Sequence, residues 1–212
     1  MVEAQLRTNK VTNLRLIDAM GEVPREKFVS ARFADVAYSD KEIMVRPDRY
    51  LMAPLALARL LQAADVKDHD VVLDVGCSSG YTSAILSQIC GMVVGLDEDE
   101  ILTEAATQTL NGIGADNALV VTGAVKSGHK KQAPYDVIIF SGAVHYLPST
   151  LEEQLAEGGR IVAIMVDAEQ MVGRAMLWIK IRGELSKRVI CDAYAPVLPS
   201  IQNSASFNFH HV

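Results

Sequence analysis

Apolar runs of strand length alternate with segments of helical periodicity from residue 71 onward. The runs VVLDVG, MVVGLDE, NALVVTG, YDVIIFSGA and GRIVAIMV are short, nearly continuous and rich in β-branched residues, and they predict strands. The segments between them, GYTSAILSQIC, EDEILTEAATQTLNGIGA and LPSTLEEQLAEGG, predict helices. Strand-helix alternation with apolar strands predicts a parallel sheet that is covered on both faces.

Two further strand patterns, GRAMLWIKIRG and ELSKRVICDAY, break the alternation and predict an antiparallel edge hairpin with a turn around Gly183 and Glu184. Residues 1–50 read as helical and irregular, and APLALARLLQAADV predicts a helix with Pro54 in its first turn. The fold class expected is therefore α/β: a doubly wound, mostly parallel, Rossmann-like sheet with an N-terminal helical extension. We expect one domain in three parts: N-terminal helices and a loop region in 1–53, the core of the sheet in 54–166, and the edge hairpin and tail in 167–212.

Composition narrows the function classes. The chain has 212 residues and a formal net charge of -6, which argues against a diffuse nucleic-acid-binding surface. Charged residues interrupt the N-terminus, and no run approaches the ~18 apolar residues of a membrane span. The three cysteines are widely spaced and form no metal-ligand pattern, so we expect reduced thiols, no metal site and a cytoplasmic protein.

The turn after the first strand of the sheet, Asp74 to Tyr81, has the form of a nucleotide-binding loop. Gly76 permits a tight turn, and Gly80 lets a helix begin close to the strand. A dinucleotide fingerprint requires glycine at 78 and 81, where this chain has serine and tyrosine, and no P-loop lysine follows. Without other signals the turn could be a purely structural joint.

Asp97 ends the second strand of the sheet, about 20 residues after Gly76, at the spacing from which an acid binds ribose hydroxyls. Glu98 follows and could share that role, and either acid could instead cap the next helix. The turn and the acids together favour a ligand of adenosine type.

The sequence at this point resembles the protein-L-isoaspartate O-methyltransferases, which use S-adenosylmethionine. The resemblance rests on MVEAQLR, RLIDAMGEVPREKFV, AYSDKEI, VLDVGCSSGYTSAIL and APYDVIIFSGAVHYLPSTLEEQLAEGGRIV, and so covers most of the chain. It implies methyl transfer from the sulfonium cofactor to the α-carboxylate of an isoaspartyl residue in a damaged protein or peptide. The cofactor-binding residues it implies are Asp74, Gly76, Cys77, Ser78, Gly80, Tyr81, Asp97, Glu98, Gly123 and Ala124.

Three positions depart from the family pattern, and all three fall in the implied site. Met52 stands where the family's substrate loop has a serine, Ser78 replaces the middle glycine of the cofactor loop, and Ala124 replaces an adenine-binding aspartate. The catalytic residues are left open, with Met52, Tyr50, Arg49 and His145 as candidates.

Three functions stay open on the sequence alone. The chain could methylate isoaspartyl residues; it could methylate another acceptor, with Arg46 and Arg49 clamping an anionic group; or it could keep the fold for partner recognition without catalysis. Phe207 and Phe209 alternate with polar residues in the C-terminal tail, and we expect this tail to pack on the domain or to dock a partner. No sequence pattern sets an oligomeric state.

Overall fold

A computed structural model describes residues 1–167 and 172–202. The Phe207 and Phe209 tail lies outside the described residues. The helices are α1 (Leu14–Glu22), α2 (Pro54–Ala64), α3 (Tyr81–Ser87), α4 (Glu100–Gly112) and α5 (Ser149–Glu153). The strands are β1 (Ile43–Arg46), β2 (Arg49–Leu51), β3 (Val71–Val75), β4 (Met92–Asp97), β5 (Ala118–Thr122), β6 (Tyr135–Val144), β7 (Leu155–Met165), β8 (Gly173–Ile181) and β9 (Glu184–Ala193).

The main sheet has seven strands in the order β5-β4-β3-β6-β7-β8-β9. Strands β3 to β7 pair in parallel, whereas β8 and β9 add an antiparallel hairpin at the edge. The predicted fold class is confirmed. The chain moves outward from β3 to β4 and β5, then returns to β6 on the other side of β3. The topological switch point, where α/β sheets bind ligands, therefore lies between β3 and β6.

The central strands are largely apolar because both of their faces are buried. On β6, Val137 and Ile139 face a cluster formed with α1, α2 and α3, whereas Ile138 and Phe140 face the opposite side. The second cluster is closed by α5 and by the C-terminal segment, through residues such as Leu198. This strict alternation fixes the register, since a slip of one residue would exchange the two faces.

The N-terminal region contains a feature that the sequence did not predict. Strands β1 and β2 form a hairpin in which Met44 pairs with Tyr50 and Arg46 with Arg49. Asp48 turns the chain with a left-handed φ of 59°, a conformation that aspartate tolerates. The region expected to hold a substrate loop is thus a short two-stranded sheet.

Two predicted boundaries were wrong. The helix expected over LPSTLEEQLAEGG ends at Glu153, and strand β7 begins two residues later, because Leu155 is buried and pairs with Tyr135. The edge hairpin turns at Arg182 and Gly183 rather than at Gly183 and Glu184. Both of these turn residues have positive φ, as tight hairpin turns require. Within the described ranges, no helix has the length and apolar character needed to cross a bilayer.

Arg25 links the N-terminal region to the rest of the fold. Its side chain is fully buried, and its guanidinium donates to the carbonyls of Ala37 (2.7 Å) and Met52 (2.7 Å). It also lies 4.5 Å from the ring centroid of Tyr81. Burial lowers the pKa of Arg25, and no carboxylate bonds to it in the described residues. These contacts hold the end of β2 against the start of α3.

Replacing Arg25 by lysine should destabilise the fold. Lysine cannot bridge two carbonyls with a planar fork, and each charge-assisted hydrogen bond contributes about 1.5–3 kcal/mol. We expect R25K to lower the free energy of unfolding in urea by roughly 2–4 kcal/mol. The matched control is R32K, since Arg32 also lies over a ring (4.6 Å from Phe33) but is exposed. That variant should change stability by less than about 0.5 kcal/mol, and an equal loss in both would contradict the assignment.

Candidate active site

The turn after β3 depends on residues without bulk. Gly76 has a φ of 73°, and a Cβ there would lie 2.7 Å from Leu198 Cδ2. Gly80 has a φ of 89°, and its Cβ would lie 3.0 Å from Ala106 Cβ on α4. The two glycines therefore let the turn pass between the C-terminal segment and α4.

Asp97 lies at the end of β4 with its carboxylate fully buried. Its Oδ2 accepts a hydrogen bond from the Ser78 amide (3.0 Å), and its Oδ1 accepts one from the Asp99 amide (3.0 Å). The Arg49 Nε lies 3.3 Å from the same Oδ1. The acid predicted to bind ribose thus stands beside the turn, with one ion-pair partner on the β1–β2 hairpin.

Asp74 was expected among the cofactor contacts, but it lies beneath the turn. Its carboxylate is fully buried and accepts from Ser83 Oγ (2.7 Å) and Ser141 Oγ (2.6 Å). The Ser141 hydroxyl also lies 2.8 Å from the Thr82 hydroxyl. Burial, opposed by the two serine bonds and reinforced by the charge of Asp97, raises the pKa of Asp74 to about 6. Both oxygens are engaged inside the protein, so Asp74 holds the floor of the site and does not reach a ligand.

Cys77 and Tyr81 are likewise not among the residues that line the cavity. The Cys77 sulfur packs against Gly95 on β4, and burial raises the pKa of its thiol well above the usual value. Tyr81 is buried and makes an edge-to-face contact with Phe28, their ring centroids 5.5 Å apart. Adjacent residues of a tight turn point in different directions, and sequence spacing does not encode which of them faces the ligand.

The loop after β5 lies beside Glu98 rather than at the cavity. Glu98 accepts a hydrogen bond from the Val125 amide (3.1 Å) and another from the Ser200 hydroxyl. Gly123 donates its amide to the Asp97 carbonyl (2.9 Å), and Ala124 is exposed. Glu98 therefore fastens two loops together.

The candidate catalytic residues separate into two groups. Arg49, Tyr50 and Met52 line one cavity together with Gly76 and Ser78. His145, half-buried after β6, is not among the residues that line this cavity, and its amide donates to the Ile201 carbonyl (3.1 Å). Arg46 forms an ion pair with Asp99 (2.7 Å), so both hairpin arginines contact the acidic run that follows β4.

The C-terminal segment contributes a wall that the sequence analysis missed. Pro196, Val197 and Leu198 line the cavity opposite the hairpin. The Leu198 amide donates to the Ala143 carbonyl (2.8 Å), and the Ala143 amide donates to the Pro196 carbonyl (2.9 Å). The two prolines of APVLP, placed just after the last strand, are the signal that the chain stops pairing at the sheet edge and returns to β6.

The polar groups at this site fit the ribose of an adenosyl cofactor. Asp97 offers a buried carboxylate at the switch point, and the glycine turn lets backbone approach a ligand closely. The space is closed, however, because the cavity measures about 10 Å³, close to the volume that one water occupies. Arg49 lies on Asp97, so a ribose can bond to this acid only after the guanidinium moves away.

Comparison with known proteins identifies the family. The model for the protein-L-isoaspartate(D-aspartate) O-methyltransferase family matches residues 1–190. The chain belongs to this family. A protein-L-isoaspartate O-methyltransferase from Koribacter versatilis is 37% identical over 162 residues, which is 76% of this chain and 73% of the relative. One from Helicobacter pylori strain G27 is 34% identical over 187 residues, 87% of this chain and 88% of the relative.

Solved structures agree with this family in fold. A structure described as a protein-L-isoaspartate O-methyltransferase matches with a TM-score of 0.84 at 23% identity, covering 96% of this chain and 68% of the solved one. A Plasmodium falciparum structure described as a beta-aspartate methyltransferase, in complex with S-adenosyl-L-homocysteine, matches with a TM-score of 0.75 at 18% identity. It covers 92% of this chain and 95% of the solved one. The predicted family and the Rossmann-like methyltransferase fold are thus confirmed.

Comparison with the isoaspartate methyltransferase family identifies one polar group that this site does not have. Met52 occupies the cavity wall at the position where the resemblance places a serine, and the side chain is buried. Within 1–167 and 172–202, no group of three or more His, Cys, Asp or Glu residues could hold a metal ion.

Replacing the charged Arg49 side chain by a neutral one should strengthen cofactor binding. The cofactor's ribose and Arg49 compete for Asp97, and S-adenosylmethionine also carries a positive sulfonium that Arg49 repels. We expect R49Q to lower the Kd for S-adenosylmethionine by about 3- to 10-fold, since a partly buried ion pair contributes about 1 kcal/mol. Titration calorimetry measures this. R46Q is the matched control because its partner, Asp99, does not line the cavity, and weaker binding by R49Q alone would contradict competition.

The raised pKa of Asp74 sets a pH dependence of stability. The native carboxyl keeps its proton up to about pH 6, whereas the unfolded one loses it near 3.8. The native state therefore binds more protons between these values, and Asp74 makes the free energy of unfolding fall as the pH rises through them. The difference corresponds to roughly 3 kcal/mol.

Urea unfolding at pH 4, 5, 6 and 7 tests this dependence. The stability of D74N relative to the unsubstituted protein should increase by roughly 3 kcal/mol between pH 4 and pH 7. D116N serves as the control, because Asp116 is exposed. A D74N difference that stays flat across this range would show that the carboxyl is not protonated in the native state.

Proposed function

We propose that this protein transfers the methyl group of S-adenosylmethionine to the α-carboxylate of isoaspartyl residues in peptides and damaged proteins. The buried Asp97 carboxylate carries the proposal. It lies beside a glycine turn at the switch point of a methyltransferase fold, in a chain whose match to the family spans residues 1–190. We also propose a cytoplasmic location, supported by Cys77, Cys90 and Cys191, which are all free thiols.

The chain's own task is to bind, align and desolvate. Asp97 holds ribose hydroxyls, and the Gly76 turn gives the ligand close access to backbone. The bound cofactor supplies a methyl group on a positively charged sulfur. S-adenosylmethionine held by Asp97 and the glycine turn would supply its methyl group to a carboxylate oxygen of the acceptor, and would leave as S-adenosylhomocysteine beside a methyl ester. No proton moves in this step, so no side chain has to act as a base, and alignment carries the catalysis.

The acceptor and the cofactor are contacted by different parts of the chain in this proposal. We propose that residues 1–53 form the acceptor side, that 54–166 form the cofactor side, and that the described part of 167–212 completes the sheet and closes the wall opposite the hairpin. Tyr50 and Met52 reach the cavity from the acceptor side, whereas Gly76 and Ser78 reach it from the cofactor side.

A transfer assay tests the proposal directly. Tritiated methyl from S-adenosylmethionine should appear as base-labile ester on a peptide with one isoaspartyl residue, and not on the same peptide with ordinary aspartate. Calorimetry with S-adenosylmethionine and S-adenosylhomocysteine should show one site for each. Absence of heat with both ligands at millimolar concentration would overturn the proposal, whereas binding without transfer would leave only a different acceptor or a non-enzymatic role.

A different acceptor is the second candidate, favoured by the apolar Met52 side chain on the cavity wall. M52S tests it, because a hydroxyl at this position restores the polar contact of the family's loop. If isoaspartate is the acceptor, we expect kcat/KM for the isoaspartyl peptide to rise by about 2- to 10-fold, the range for one hydrogen bond.

The control for M52S is M44S, the same change at an exposed methionine of β1. It should leave kcat/KM unchanged. Circular dichroism must show that both variants fold at the assay temperature. A fall in isoaspartyl transfer by folded M52S, without any fall for M44S, would favour an acceptor that contacts the methionine itself.

A further inference from the structure

Ser78 adopts a backbone conformation that its side chain disfavours. Its φ is 54°, in the left-handed region that costs a residue with a Cβ about 1–2 kcal/mol relative to ordinary helical backbone. Among the described residues, four other non-glycine residues have positive φ, namely Lys10, Asp48, Asp65 and Arg182, and all four are exposed. Ser78 is 2% exposed. The strain therefore lies in the interior, at the wall of the candidate site.

The Ser78 hydroxyl is also left without a partner in the protein. Its Oγ is buried and makes no hydrogen bond, although a buried hydroxyl is normally paired. Two nearby serines are fully engaged: Ser79 Oγ donates to the Phe28 carbonyl (2.7 Å), and Ser83 Oγ donates to Asp74 (2.7 Å). The unpaired hydroxyl thus belongs to the serine of this group that lines the cavity.

The position of Ser78 indicates which ligand group its hydroxyl would meet. The Ser78 amide donates to Asp97 Oδ2 at 3.0 Å, so the residue adjoins the carboxylate assigned to the ribose. A serine hydroxyl can donate one hydrogen bond and accept two, which matches the capacity of a ribose hydroxyl. Met52, which lines the same cavity, makes no hydrogen bond to this hydroxyl.

We propose that the Ser78 hydroxyl is a binding contact to the ribose of the S-adenosyl cofactor, and that this contact is what the strained serine provides in place of glycine. The inference rests on the proposed function, since it assumes that this cofactor binds here. It makes Ser78 a determinant of cofactor affinity rather than an obstruction. Affinity and stability then oppose each other at this position, because glycine relieves the strain but removes the contact.

Two substitutions separate the hydroxyl from the backbone strain. S78A keeps the Cβ and removes only the hydroxyl, whereas S78G removes both. We expect both variants to weaken S-adenosylhomocysteine binding in calorimetry by about 2- to 10-fold, the range for one hydrogen bond. S78G should also raise the melting temperature of the ligand-free protein by about 2–4 °C as the strain is relieved.

A ligand fragment locates the contact. Methylthioadenosine keeps the adenosyl ribose but lacks the amino-acid end, so S78A should weaken its binding by the same factor as it weakens S-adenosylhomocysteine binding. S87A is the control, because Ser87 Oγ bonds only to the Ala84 carbonyl within α3, away from the cavity. The Kd of S87A should equal that of the unsubstituted protein.

The outcomes separate this inference from the function on which it rests. Equal or tighter binding by S78A and S78G, when the unsubstituted protein binds, overturns the inference and leaves the proposed function intact. A loss confined to S-adenosylhomocysteine, with methylthioadenosine unaffected, overturns the ribose assignment. Absence of binding by the unsubstituted protein overturns both. An equal loss in S87A would attribute the effect to general destabilisation and would also overturn the inference.

Discussion

The buried carboxylate of Asp97 is the constraint on which the arrangement of the site depends. A charge removed from water must be compensated by donors, and here they come from three separate segments: the Ser78 amide, the Asp99 amide and the Arg49 guanidinium. The cofactor turn, the start of α4 and the β1–β2 hairpin are therefore positioned by one side chain. The two amides are fixed by the fold, whereas the guanidinium is on a two-stranded hairpin. A ligand that displaces Arg49 must bring hydrogen-bond donors of its own, and the hydroxyls of a ribose meet this requirement.

A second buried acid, Asp74, holds the floor of the site. Asp74 pairs with Gly95 across β3 and β4, two residues before Asp97, and the charge of Asp97 disfavours ionisation of Asp74. Burial raises the pKa of Asp74 although the hydrogen bonds from Ser83 and Ser141 oppose the shift, and Asp97 is left as the acceptor whose partner Arg49 can exchange. The same bonds hold the irregular part of β6 against α3, at the place where β6 and β7 lose regular pairing. The bonds that hold the floor of the site therefore oppose, rather than cause, the raised pKa of Asp74.

Sequence periodicity predicted the elements that are buried on two faces, and it failed where local context decides. The apolar runs of β3, β4, β6 and β7 are largely buried in a covered sheet, and the spacing of Asp97 followed from where β4 ends. The β1–β2 hairpin has strands of four and three residues with mixed polarity, too short for a period to emerge. The directions of the Asp74, Cys77 and Tyr81 side chains depend on the backbone at the end of β3, in the turn and at the start of α3, which residue type alone does not encode. The cavity wall at Leu198 depends on contacts between residues far apart in the chain, and the sequence around Gly76 does not predict it.

The site divides into a half that the fold holds rigid and a half that it holds by ion pairs. Arg25 bonds to the Met52 carbonyl and lies over Tyr81, and Ser79 bonds to Phe28, so the N-terminal block fastens the end of β2 and the cofactor turn to one buried support. The tip of the hairpin, by contrast, is attached to the acidic run through Arg46 and Arg49. The Arg46–Asp99 pair is partly exposed and contributes little stability, whereas Arg49 pairs with a fully buried carboxylate. The tip of the hairpin is therefore held at Asp97 by an ion pair whose loss must be compensated, while Met52 and Ser78 line the cavity from the half that buried hydrogen bonds fasten.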